Sequence, residues 1–216
     1  MFVKKIIPTL FAYNDSEFLD KLHTLSFSKE IHIDFMDGVF TKSKSFETTA
    51  LNHLKNYPGI SYEMHLMAYN PLQYLSVIRN ASIYKVLIHY EVFSSTKELL
   101  ETKNIFKKEG IKVFLVLKPQ TPLTVLKPFL DEFDGIMFMS VEPGAQGQKF
   151  IEQTYDKCHE LKGKIPLQCD GGINNSNLEY LFIAGCDIAS IGSYISSNTN
   201  SKENYKILYE IAKKFN

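Results

Sequence analysis

The chain has 216 residues, 44% hydrophobic and 22% charged, the balance of a folded domain with a sizeable core and not that of a disordered or fibrous chain. Lysine plus arginine is 24 and aspartate plus glutamate is 24, so the net charge is zero, which argues against a nucleic-acid or anionic-membrane binder. Arg79 is the only arginine, so any phosphate must be held by backbone amides or a lysine and not by guanidinium forks.

Along the chain, short β-like runs alternate with longer amphipathic stretches. Strands are expected over Val3–Ile7, Ile31–Phe35, Ile60–Leu66, Tyr84–His89, Ile111–Leu117, Gly135–Ser140, Pro166–Asp170 and Asp187–Ile191. Helices are expected between and after them, over Asp15–Phe27, Glu47–Asn56, Pro71–Asn80, Ser95–Glu109, Pro122–Leu130, Ile151–Leu161, Asn175–Ala184 and Lys202–Phe215. Asn70-Pro71 and Thr121-Pro122 place a capping side chain before a proline in the first turn, and Gly110 and Gly185 stop the fourth and seventh helices. No Pro/Ser/Gly-rich linker divides the chain, so residues 1–216 are expected to form one domain. Eight βα units of about 27 residues each make an α/β fold, a (β/α)8 TIM barrel, slightly shorter than the usual length of about 250. An open doubly wound sheet is the rival, and the count of eight favours closure.

The N-terminus, Met1-Phe2-Val3-Lys4-Lys5-Ile6-Ile7-Pro8, is not followed by an apolar stretch of signal-peptide length, and no run approaches the roughly 20 apolar residues of a membrane span. Cys158, Cys169 and Cys186 are odd in number and far apart, which suits free thiols in a reducing cytosol. A cytoplasmic protein without membrane contact is expected.

In a barrel of this kind, functional side chains sit at the C-terminal ends of the strands and in the loops after them. The second strand reads Ile31-His32-Ile33-Asp34-Phe35-Met36, so a period of two puts His32, Asp34 and Met36 on one face. The third puts Glu63, His65 and Met67 on one face, the seventh ends Gln168-Cys169-Asp170-Gly171-Gly172, and the fourth ends His89-Tyr90-Glu91. With the apolar faces packed on helices, His32, Asp34, His65 and Asp170 converge at the barrel mouth. Two imidazoles with two carboxylates suit one divalent ion such as zinc, iron(II), cobalt or manganese, not a magnesium or calcium cage. Glu63, one repeat deeper than His65, is placed to orient an imidazole. A lone His-x-Asp is more often a hydrogen-bonded pair at a strand end; four such groups at similar depth on separate strands argue for the metal. Asp37, beside Gly38, reads as a loop residue.

Glycine gives the second signal. Pro143-Gly144-Ala145-Gln146-Gly147-Gln148 follows the sixth strand, Gly171-Gly172 the seventh and Gly192-Ser193 the eighth. One Gly-Gly pair is usually a turn. Three consecutive glycine-bearing loops let backbone amides approach an anion closely, which fits a chain short of arginine.

These blocks resemble the ribulose-phosphate 3-epimerase family: IHIDFMDGVF (31–40), MHLMAYNP (64–71), LKPQTPL (117–123), MSVEPGAQGQKFI (139–151), CDGGI (169–173) and AGCDIASIGSYI (184–195). They run in order along nearly the whole chain. The resemblance implies a barrel that interconverts D-ribulose 5-phosphate and D-xylulose 5-phosphate, with His32, Asp34, His65 and Asp170 as ligands of one divalent metal and Asp34 and Asp170 as the acid/base pair. It also implies that Met36, Met67 and Met139 line the site beside His65, that Thr9 stands near the substrate, and that Gly144, Ala145, Gln146, Gly147, Gly171, Gly172, Gly192 and Ser193 bind the phosphate. The chain departs from the family's MDGHFVPN at Met36–Ser43 and from its PGFGGQ at Pro143–Gln148. A six-carbon substrate such as allulose 6-phosphate is the near alternative, and a silent phosphosugar-binding barrel the alternative from another class. A hexulose-phosphate synthase or decarboxylase would carry D-x-K-x-x-D, whereas this chain reads Asp34-Phe35-Met36-Asp37. The expected partner is a small phosphosugar, with assembly into a homo-oligomer left open.

Overall fold

The computed structural model describes residues 2–196 and 200–216; Met1 and residues 197–199 lie outside it. Eight parallel strands hydrogen-bond in chain order and the last pairs with the first, closing a barrel. They are β1 (Lys5–Phe11), β2 (Glu30–Met36), β3 (Ser61–Met67), β4 (Lys85–His89), β5 (Lys112–Leu117), β6 (Gly135–Met139), β7 (Leu167–Asp170) and β8 (Ile188–Ile191). The helices are α1 (Asp15–Leu25), α2 (Leu75–Asn80), α3 (Thr96–Lys108), α4 (Gln153–Leu161), α5 (Leu178–Ala184), α6 (Ser193–Ser196) and α7 (Ser201–Lys213). The chain is therefore a (β/α)8 TIM barrel. Among the described residues no helix is long and apolar enough to cross a membrane.

The strand period of two sorts the core into two layers. Outward residues such as Ile31, Ile33, Phe35, Met64, Leu66 and Val113 join helix residues Phe18, Leu22, Leu99 and Phe106 in one continuous apolar shell. Inward residues Ile7, Leu87, Phe114, Val116, Met137 and Ile188 fill the barrel's axis. Gly135 is bare because the Phe114 ring lies across it; a Cβ there would collide with that ring.

Several expected boundaries move. β1 runs to Phe11, four residues beyond the expected end at Ile7. Pro8 suggests a break, yet β8 pairs with it on one side (Pro8↔Ile191) and β2 takes over at Thr9↔His32, so tertiary pairing carries the strand through one missing donor. Residues Thr48–Asn56 form a 3-10 helix where an α-helix was expected; Glu47 makes no capping bond, and the β-branched Thr48-Thr49 pair opens the segment. Pro122–Leu130 shrinks to one 3-10 turn at Leu123–Leu126, because Pro128 lacks the N–H that would reach the Thr124 carbonyl. Neither Asn70 nor Thr121 caps its helix through its side chain: Pro71 opens a 3-10 turn, and the Thr121 hydroxyl donates to Glu91 instead. By contrast Gly185 ends α5 at φ +127°, a conformation that favours glycine.

Candidate active site

Barrel register sets the site. Thr9 pairs with His32, Phe11 with Asp34, Asp34 with His65, and Met139 with Asp170, so the chemically active side chains rise in level layers from neighbouring strands. The lowest layer is a buried polar plate. Glu63 accepts from Lys85 Nζ, from Gln168 Nε2 at 2.5 Å and from Tyr84 Oη at 3.3 Å, while Lys85 also reaches Gln168 Oε1 at 3.0 Å. Burying these charges is tolerable only because each is paired and hydrogen-bonded. Burial would raise the pKa of Glu63, but the Lys85 ammonium and His32 hold it well below the usual carboxylate range.

Above the plate, His32 Nδ1 sits 2.5 Å from Glu63 Oε1, so the carboxylate expected to orient an imidazole does so, and the imidazole is His32. His32 Nε2 then points towards Asp34 Oδ1 at 3.3 Å, is fully buried, and has no hydrogen-bond partner. His65 Nδ1 approaches the same Asp34 oxygen at 2.9 Å and Asp170 Oδ2 at 3.9 Å. One ligand atom from each of His32, Asp34, His65 and Asp170 lies within 4.8 Å of all the others. Two nitrogens and two carboxylate oxygens at this spacing, one of them orphaned and aimed inward, fit a divalent cation of the zinc and iron(II) type.

The electrostatics point the same way. Burial opposes charge on His32, but the facing carboxylates of Asp34 and Glu63 outweigh it and push its pKa up to about 10. Burial also works against ionised Asp34, yet His32 and His65 hold its carboxyl well below the usual range. Asp170 goes the other way: burial and the Asp34 charge push it up to about 8. His65 and His89 are both held down by burial, His89 to about 4.

A cleft opens above these groups. Of the residues singled out in the sequence, Thr9, Asp34, Met67, Met139, Gly144, Ala145, Gln146, Gly147, Asp170, Gly171, Gly172, Gly192 and Ser193 all line it. His32 and His65 lie beneath its floor, wholly buried, and Met36 packs beside the cleft with Phe11, Met67 and Phe40. Thr9 Oγ1 is buried without a partner. The glycines are bare for different reasons. At Gly171 (φ +112°) a Cβ would strike Val141, and at Gly172 (φ +64°) it would lie 2.7 Å from the Phe150 nitrogen. At Gly192 it would collide with the carboxamide of Gln146.

Asp37 is the loop residue its setting suggested. Its carboxylate accepts from the Val39, Phe40 and Tyr69 amides at 2.7, 2.8 and 2.9 Å, folding residues 37–45 over the mouth. There Thr41 packs against Gly144, joining this loop to the one after β6.

Other site residues escape the sequence. Phe11, Val141 and Glu142 line the cleft; Phe11 is hidden by the early end expected for the first strand. Lys85 and Gln168 take their roles only through partners far away in the chain. His89 and Glu91 were visible merely as a polar strand end, and the structure places the His89 ring against His65.

Residues 5–196 match the Ribulose-phosphate 3 epimerase family. A ribulose-phosphate 3-epimerase of Buchnera aphidicola subsp. Baizongia pistaciae is 35% identical over 199 residues, covering 88% of this chain and 86% of its own. Another from Bacillus subtilis is 29% identical over 181 residues, covering 80% and 82%. Among solved structures, 3-hexulose-6-phosphate synthase from Salmonella typhimurium superposes with a TM-score of 0.78 over 98% of this chain and 100% of its own, at 13% identity, a likeness of fold alone.

Proposed function

The chain belongs to the ribulose-phosphate 3-epimerase family and is an epimerase, and from that premise we propose that it interconverts D-ribulose 5-phosphate and D-xylulose 5-phosphate by moving the C3 proton between Asp34 and Asp170. The observation that carries this reading is geometric: the carboxyls of Asp34 and Asp170, from strands on different sides of the barrel, line one cleft and have oxygens within 4.8 Å of each other. Inverting a carbon requires removal of the proton on one face and delivery on the other, hence one base and one acid in the same state of the enzyme.

In each direction one of the two carboxylates accepts the C3 proton and the electron pair of that bond spreads into the ketone as an enediolate. The other carboxyl then gives its proton to C3 from the opposite side, and the electron pair returns to form that bond. The reverse reaction exchanges their roles. A divalent ion held by His32, Asp34, His65 and Asp170, with zinc or iron(II) proposed and cobalt or manganese as substitutes, would supply the positive charge that stabilises the developing oxyanion. Met67 and Met139 line the reacting space with polarisable groups that neither give nor take protons. Thr9 offers its unpartnered hydroxyl to the sugar. The phosphate is assigned to the amides of the three glycine loops, so its binding energy positions C3 between the carboxyls.

The test follows C3–H exchange by NMR when ribulose 5-phosphate is incubated with the enzyme in deuterated water. Deuterium should enter C3 of both pentulose phosphates, stop on chelation and resume when zinc or iron(II) is restored. No exchange with any of the four metals would overturn the mechanism. A faster reaction with allulose 6-phosphate would overturn the pentulose assignment.

A further inference from the structure

Gln146 stands in the loop after β6, yet its side chain reaches the loop after β8. The backbone between passes over the loop after β7: a Cβ on Gly172 would lie 2.7 Å from the Phe150 nitrogen and 3.0 Å from the Gln148 carbonyl oxygen. Beyond it the Gln146 carboxamide covers the bare face of Gly192, where a Cβ would collide with Nε2 and lie 3.3 Å from Cδ. That same point is 3.6 Å from the Cβ of Thr9, whose buried hydroxyl has no partner. Carboxamide and hydroxyl therefore stand side by side at one end of the cleft.

Among the described residues the Gln146 carboxamide has no hydrogen-bond partner. Gln148, its neighbour, is already committed, donating to the Glu142 and Ala145 carbonyls at 2.6 and 2.9 Å. No lysine or arginine among the described residues lines the cleft, so an anion at this end meets neutral donors only. Outside glycine, Ser82 alone among the described residues has a positive φ, so the backbone at Gln146 is ordinary and accepts other side chains without strain.

The reaction gives that placement a consequence. C3 must sit between Asp34 and Asp170, so the number of carbons that fit is set by how far the phosphate-holding surface lies from those carboxyls. A pentulose 5-phosphate places C4 and C5 in that interval, and a hexulose 6-phosphate adds C6. A carboxamide laid over Gly192 moves the surface inward, from backbone to side chain.

We propose that Gln146 is the specificity-determining residue for chain length, its carboxamide donating to the phosphate from above Gly192 and leaving room for a pentulose but not a hexulose. The proposal rests on the assignment of the phosphate to the glycine loops and of C3 to Asp34 and Asp170.

Two variants test it. Gln146→Asn keeps the carboxamide but draws it back by one methylene, and Gln146→Ala removes it. The half-exposed side chain makes no hydrogen bond to the protein, so neither change threatens the fold. The measurement is kcat/KM of the metal-loaded enzyme for D-ribulose 5-phosphate and for D-allulose 6-phosphate. In Gln146→Asn the ratio of the two should fall about tenfold, chiefly through a lower KM for the hexulose, because one methylene of room decides the fit. Gln146→Ala should lower the ratio at least as far and also raise KM for ribulose 5-phosphate, whose phosphate loses a donor. A merely structural role would weaken both sugars together and leave the ratio alone. A ratio within about twofold of wild type in both variants would overturn the proposal while leaving the epimerase reading intact. Calorimetric binding of the two sugars to Asp170→Asn, with and without Gln146→Asn, repeats the comparison with turnover stopped, so failure of the proton-transfer reading would not be mistaken for failure of this one.

Discussion

His32 and Glu63 are in-register neighbours on β2 and β3, and their Nδ1 and Oε1 atoms lie 2.5 Å apart. That contact commits one nitrogen of His32 to the interior and turns the other, unpartnered, towards Asp34. The His/Asp group that could hold a cation is thus oriented from below, by a carboxylate that never reaches the cleft itself.

Asp34→Asn and Asp170→Asn are each expected to lower kcat by about 10²- to 10⁴-fold, since each removes one end of the proton path. Circular dichroism should report an intact fold in both. Turnover within tenfold of wild type in either variant would defeat the two-carboxyl assignment.

Metal-free protein should lose stability as pH rises from about 5 to 9. Folded Asp170 keeps its proton to about pH 8 whereas an unfolded aspartate releases it near its ordinary value of 3.8, so the folded state binds more protons across that window. His32 adds the same sign: its stabilising charge is fully present below 6.5 and is lost as pH climbs through about 10. Asp34 and Glu63, both shifted down, instead contribute stability that disappears in acid, below the unfolded carboxylate range. Thermal melts across pH should therefore peak in mild acid, and Asp170→Asn should flatten the decline between pH 5 and 8.

Lys85→Met removes the ammonium that balances Glu63, leaving a carboxylate in the barrel's interior without its ion-pair partner. A loss of about 3–5 kcal/mol is expected in urea denaturation. A change below 1 kcal/mol would mean that Gln168, Tyr84 and His32 suffice to hold that charge.

Gln146 places its carboxamide against bare Gly192 at the end of the cleft assigned to phosphate. Gln146→Glu should repel the phosphate and raise KM about tenfold, equivalent to about 1.4 kcal/mol, with kcat little changed because C3 is remote. A rise confined to kcat would place Gln146 at the reacting carbon instead.

Gly171→Ala should be costly on two counts, a φ of +112° and a collision of its Cβ with Val141. About 1–3 kcal/mol of stability is expected to be lost in denaturant melts, along with a higher KM.

Much of this was legible in one dimension. Alternating runs mark eight strands, and the period of two by itself puts His32 with Asp34 and Glu63 with His65 on shared faces. The glycine loops named the cleft's far wall. Where the reading slipped, a local signal had been overruled: Pro8 marks a break that pairing on both flanks cancels, and Thr121 looks like a cap but answers to Glu91. Pro128, by contrast, was a local signal that the expected fifth helix passed over.

What the order of residues determined by itself was the alternation of faces, and hence which side chains enter the barrel, because side-chain direction along a strand depends only on parity. Which nitrogen of His32 is free, which carboxyl keeps its proton and why His65 leans on His89 were decided by the closed barrel alone. Those properties arise from groups such as Gln168 and Glu63, 105 positions apart in sequence, whose mutual burial sets the charge that each can hold.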